Sequence, residues 1–125
     1  MIVLDTSIII DHLRGVPGAQ DSIRHALLDG EALVASVLTK VELLAGLRAS
    51  EERALRRAFS LCSWFEVDND LAESAGFLAH RFARAFPGID PVDYVIAATA
   101  MHLDATLWTR NLKHFPMFPD LKAPY

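Results

Sequence analysis

The chain has 125 residues, of which 52% are hydrophobic and 22% charged, with a net charge of −4 and a pI near 5.6. That length suits one domain (residues 1–125) with one core, and the composition excludes disordered and fibrous classes. The acidic balance excludes a domain that holds nucleic acid by bulk charge, though not an enzyme whose acids carry metal ions that reverse the local field.

Ile2-Val3-Leu4 is a short continuous apolar run, as expected of a strand buried on both faces. Asp5-Thr6-Ser7 offers capping side chains before a helix over Ile8 to Leu13, and a turn follows over Gly15 to Gly18. Ser22 to Asp29 reads as a short helix stopped by Gly30, and Ala32 to Ala35 as a second buried strand. After Ser36 the pattern predicts a helix through Leu47, with Val37, Val41, Leu44 and Leu47 on one face at helical spacing. Glu51 to Leu61 is a further helix, basic on one side through Arg53, Arg56 and Arg57, and Trp64 to Val67 is a third strand. Asp70 to Phe86 is the longest predicted helix, its apolar face made by Leu71, Ala75, Leu78, Ala79, Phe82 and Phe86. Asp90-Pro91 opens a helix to about His102, and Thr106 to Trp108 is the last strand. Strands separated by helices predict an α/β fold with a parallel sheet and right-handed crossovers.

In such a sheet, every segment from a strand end to the next helix start lies on one edge, where ligands bind. Asp5 closes the first strand, Glu42 lies early in the helix after the second, and Asp93 lies in the first turn of the helix before the last strand. Asn111 follows that strand by three residues. Four oxygen-bearing side chains thus reach one edge from distant parts of the chain. Each also has a purely structural reading. Asp5 serves as an N-cap, Thr39 to Glu42 as a capping box, and Asp90-Pro91-Val92-Asp93 as an N-cap, an N1 proline and an N3 acid. Asp70 to Glu73 fits the same device and is assigned to structure alone.

Together the acids carry a charge problem. Carboxylates about 4 Å apart repel by roughly 4 kcal/mol at an effective dielectric of 20, so such a cluster raises its pKa values or binds a cation. With only carboxylate and amide oxygens available, the expected ion is hard, Mg²⁺ or Mn²⁺, and the chemistry it suits is phosphoryl transfer.

Met1 to Ser7, Leu38 to Gly46, Asp93 to Ala100 and Thr109 to Phe115 resemble, in order across essentially the whole chain, the PIN-domain nucleases, and most of all the VapC-type toxins of bacterial and archaeal toxin–antitoxin pairs. The resemblance implies a three-layer α/β/α sandwich around a short parallel sheet and a Mg²⁺- or Mn²⁺-dependent endoribonuclease. Its RNA would be tRNA or rRNA, and its effect inhibition of translation. Asp5, Glu42 and Asp93 match the acids that hold the metal and its nucleophilic water. The fourth acid of the family falls at Asn111, where an amide ligates without charge, and Asp90, one turn before Asp93, offers partial compensation. Thr6 and Thr109 match flanking hydroxyl positions that support the acids. The resemblance further implies a homodimer neutralised by a cognate VapB-type antitoxin.

Two readings stand for Arg110: forking a scissile phosphate, or pairing with an acid of the cluster. Lys113 is a second phosphate candidate. The Arg53, Arg56, Arg57 face reads as solvated, and the histidines show no zinc-ligand spacing. His114 is expected to order the loop after the last strand, and Trp64 and Trp108 to belong to the core. Ile2 to Ile10 is interrupted by polar residues and lacks the flanks of a secretory signal, so no membrane association is expected. The lone Cys62 suits a reducing, cytoplasmic setting. The competing functional classes are a catalytically weak partner-binding domain of the same fold, a DNA-cleaving nuclease of that fold, and a phosphoacceptor receiver domain. Thr6 and Arg110 stand where a receiver would need an acid and a lysine.

Overall fold

Strand β1 (Ile2–Leu4) sets the layering through its alternation. Ile2 and Leu4 pack with Leu33 and Ala35 on one face, while Val3 packs with Val34 and Leu107 on the other. The computed structural model, which describes residues 1–125, places β1 within a four-stranded sheet of order β3-β2-β1-β4. The other strands are β2 (Leu33–Ser36), β3 (Ser63–Phe65) and β4 (Thr106–Trp108). Every pairing is parallel, with Val3 opposite Val34 on one side and Leu107 on the other.

Helices α1 (Thr6–Leu13), α2 (Pro17–Leu28), α3 (Val37–Ala45) and α4 (Glu52–Phe59) cover the first face through Ile8, Ile9, Ile23, Ala26, Leu43, Leu55 and Ala58. Helix α6 (Pro91–His102) covers the second through Ile96, Ala97 and Ala100, and α5 (Asn69–Phe82) packs on α6 from outside. Topology explains this division. The chain steps from β1 to β2 to β3 in one direction and then returns past β1 to β4. Right-handed crossovers in opposite directions place their helices on opposite faces. Sandwiched between sheet and α5, α6 is buried without interruption from Asp93 to Ala100.

Several local expectations give way to tertiary contacts. Helix α2 begins at Pro17, an N1 proline, and runs through the predicted Gly15 to Gly18 turn, of which only the start remains. The N-cap of α3 is Ser36, whose hydroxyl accepts from Leu38 N, so Thr39 lies inside the helix and no capping box forms with Glu42. Rotated accordingly, α3 buries Thr39 and Leu43 and leaves Val41 and Leu44 62% and 42% exposed. Asp68, not Asp70, caps α5 by accepting from Leu71 N, and α5 ends at Phe82, so Phe86 falls beyond it. Asp90 caps α6 as expected, accepting from Asp93 N at 3.1 Å. Asp5 holds the N-cap position of α1 without a side-chain capping bond. Its carboxylate is engaged elsewhere.

Candidate active site

Beyond β1 the chain turns into α1 on the first face, and beyond β4 it turns to Phe115, which is buried in the cluster on the second. The chain thus leaves these adjacent strands toward opposite faces, and the carboxyl edge at such a switch point is where parallel α/β sheets bind ligands. Asp5 and Thr109 stand at that edge, one residue beyond their strands and buried. Thr109 Oγ1 donates to Asp5 Oδ2 at 2.7 Å, and Ser7 Oγ donates to the same oxygen at 2.7 Å. Each hydroxyl is itself held from the loop after β4: Asn111 N donates to Thr109 Oγ1 at 2.9 Å, and Arg110 N to Ser7 Oγ at 3.1 Å. Two parallel relays thus fix one oxygen of Asp5. The sequence reads Ser7 only as a capping residue; its place two residues after Asp5 is the signal for this further role.

Asp93 arrives from the buried first turn of α6. Its exposure is 7% against 3% for Asp5. Asp93 Oδ2 is buried and makes no hydrogen bond. His114 Nδ1 stands 3.0 Å from that oxygen without the alignment of a hydrogen bond, so the loop-ordering histidine proves to adjoin the site. Burial pushes the Asp93 carboxyl up to about 6, reinforced by the charges of Asp90 and then Asp5, while His114 and the hydrogen bond near Asp90 act in the opposite sense. Asp90 and Asp5 are therefore both close enough for Asp93 to feel their charges.

Glu42 approaches from the α3 side. Thr6 Oγ1 donates to Glu42 Oε1 at 2.6 Å and lies 3.2 Å from the buried Thr39 hydroxyl. Asn111 is exposed and contributes its backbone N–H to the relay. No three carboxylate, imidazole or thiolate groups stand close enough to make a ready metal cage. The fit to a cation rests on the Asp5–Asp93 pair: hard oxygen donors, one of them buried without a hydrogen bond and 3.0 Å from His114 Nδ1, in a cluster whose like charges repel.

Arg110 pairs with an acid outside the cluster. Its Nη1 lies 2.6 Å from Asp11 Oδ2, its guanidinium carbon lies 5.4 Å from the centre of the Tyr125 ring, and the Tyr125 hydroxyl donates to the same Asp11 oxygen. Lys113 is exposed beside the site, and Arg53, Arg56 and Arg57 are exposed away from it. Cys62 is buried enough to push its thiol up to about 11.

Comparison with known proteins places the chain as a whole. The profile of the PIN domain matches residues 2–116. Ribonuclease VapC19 of Mycobacterium tuberculosis is 50% identical over 125 residues, covering the whole of both chains. Ribonuclease VapC10 of the same organism is 39% identical over 125 residues, covering 100% of this chain and 93% of that one. Among solved structures, a toxin–antitoxin complex from Klebsiella pneumoniae superimposes with a TM-score of 0.80 at 26% identity, covering 100% of this chain and 98% of that one. The chain belongs to the PIN-domain family, and within it to the VapC type.

Proposed function

We propose that the chain is a divalent-metal-dependent endoribonuclease and the toxin of a toxin–antitoxin pair, with Asp5 and Asp93 as its principal metal ligands. Asp93 Oδ2 carries this reading: a buried carboxylate oxygen with no hydrogen bond, its charge opposed by Asp90 and Asp5 and only partly offset by His114, suits a cation. The names of VapC19 and VapC10 support ribonuclease activity, and the Klebsiella pneumoniae complex supports an antitoxin partner, of VapB type here.

Asp5, Glu42 and Asp93 supply charged donors and Asn111 a neutral one, a set that suits Mg²⁺ or Mn²⁺. Bound there, such an ion supplies charge neutralisation at the scissile phosphate and activation of the attacking water. The protein's own part is positional. Thr109 and Ser7 hold Asp5 Oδ2 and leave the remainder of that carboxylate for the ion. Asp90, by capping α6 through Asp93 N, fixes the turn that carries Asp93. Thr6 orients Glu42, while Lys113 meets a phosphate of the RNA and Arg110 stays paired with Asp11.

The substrate class is tRNA or rRNA, and inhibition of translation is the consequence. Val41 and Leu44, exposed on α3, offer apolar surface to a second copy in a homodimer. No helix is long and apolar enough to cross a membrane, and the proposed site of action is the cytoplasm.

Incubating the antitoxin-free chain with total cellular RNA in Mg²⁺, Mn²⁺ or chelator tests the proposal. Discrete products that require metal are expected. The lack of a ready three-acid cage favours a second reading, a partner-binding domain with weak chemistry. Tight antitoxin binding without metal-dependent cleavage would establish that one instead.

A further inference from the structure

Between α5 and α6 the chain turns through Pro87-Gly88, where Gly88 adopts a φ of 95° that disfavours other residues. Across from this turn stands the segment after β4, and the two enclose an open groove of about 490 Å³. Phe86, Gly88 and Ile89 line it from one side, Leu112, Lys113 and His114 from the other.

Three features set this groove apart from ordinary surface. Phe86 and Leu112 are 42% and 40% exposed, so large apolar groups stand wet on both sides of it. No carboxylate lines it, although the chain as a whole carries a net charge of −4, and its ionisable side chains are Lys113 and His114. It also adjoins the carboxylate site through His114, which lines it and whose Nδ1 stands 3.0 Å from Asp93 Oδ2. An acid-free channel with a cation and an aromatic ring, opening beside a metal-binding pair of acids, complements a polyanion that carries flat apolar groups. Single-stranded RNA is such a ligand: its bases stack on aromatic side chains and its phosphates meet lysine.

We propose that this groove is a nucleotide subsite of the RNA substrate, holding the base next to the scissile bond against Phe86 and Leu112, with Lys113 on a phosphate of the same strand. The subsite rests on the ribonuclease reading and adds the class of contact that selects where RNA is cut. A peptide segment of the antitoxin is the rival occupant, but the unpaired cation and the absence of acids favour the nucleic acid.

Fluorescence anisotropy tests the subsite without cleavage, using the Asp5→Asn chain and fluorescein-labelled decamers of A, U and C. Phe86→Ala is expected to weaken binding on the order of tenfold and to flatten the differences among the decamers, since stacking is lost. Lys113→Gln is expected to weaken all three alike and to reduce the salt slope by about 0.7, the signature of one phosphate contact on a single strand. Phe77, 73% exposed on α5 and outside the groove, serves as the control, and Phe77→Ala is expected to change nothing. RNA affinity unchanged by Phe86→Ala and by Leu112→Ala overturns the proposal, as does failure of the parent chain to bind any decamer. Loss of antitoxin binding with RNA binding intact also overturns it and assigns the groove to the partner. The ribonuclease reading is judged separately, by whether the unsubstituted chain cuts RNA: cutting with a pattern that Phe86→Ala leaves unaltered rejects the subsite alone.

Discussion

Asp93→Asn is expected to abolish metal-dependent RNA cleavage, by about 10³-fold or more, while making the metal-free chain more stable at neutral pH. The activity loss follows from removing a charged ligand, because a cation's stabilisation of the reacting phosphate is worth several kcal/mol and each 1.4 kcal/mol is about tenfold in rate. The stability gain follows from the same carboxylate. Burial, Asp90 and Asp5 raise the Asp93 carboxyl from 3.8 to about 6. Between those values the native chain retains a proton that the unfolded chain has released, so stability falls as pH climbs through this window. Above about pH 6 the penalty is fully present, on the order of 2 kcal/mol after solvent screening. Asparagine carries no such penalty. In chelator at pH 7.5 its Tm is therefore expected to exceed that of the unsubstituted chain by several degrees, and the gap is expected to close toward pH 4. Added Mg²⁺ should raise the Tm of the unsubstituted chain and not of the variant. A variant less stable than the parent at pH 7.5 would show that Asp93 is not held against its own charge.

Thr109→Val is expected to reduce metal affinity about tenfold and stability by about 2 kcal/mol, although no metal ligand changes. Thr109 is fully buried, and its hydroxyl takes the Asn111 N–H while donating to Asp5 Oδ2. Valine fills the same space, so packing survives, but one backbone donor loses its acceptor and Asp5 keeps only Ser7. An unsatisfied buried group costs roughly 1–3 kcal/mol, and losing a group that orients a ligand typically costs about 10- to 100-fold in metal affinity. Thr109→Ser, which keeps the hydroxyl, should restore both. Thermal melting in chelator and calorimetric titration with Mn²⁺ separate the two effects. Unchanged affinity in Thr109→Val would mean that the relay does not position Asp5.

The architecture was legible because its signals are local. Ile2 to Leu4 and Thr106 to Trp108 are apolar runs bounded by polar residues, and Asp90-Pro91 carries its own start signal. The rotation of α3 was not legible. Val37, Val41, Leu44 and Leu47 make as good a helical stripe as any, but Ser36 captures the cap and Leu43 meets the core formed by α1 and α4. Asp68 and Asp70 compete for the same N-terminus, and only the chain's exit from β3 selects between them.

For the site, the end of β1 and the start of α6 are enough to bring Asp5 and Asp93 near one another. The relays through Ser7 and Thr109 and the approach of His114 to Asp93 depend on how the loop after β4 folds back. That path is a tertiary property. Arg110 illustrates the limit: its pairing with an acid was one of two open readings, but the acid is Asp11, one helical turn and a half beyond Asp5 and braced by Tyr125.

The proposed cation site needs Asp5 and Asp93 together. Calorimetric titration of Mn²⁺ into the chelator-stripped chain, beside Asp5→Asn and Asp93→Asn, distinguishes it from a site elsewhere. The expected result is saturable binding by the unsubstituted chain, with proton release at pH 5.5 that shrinks by pH 7.5, and loss of binding in both variants. Mn²⁺ binding that survives both substitutions would place the metal elsewhere and contradict the assignment.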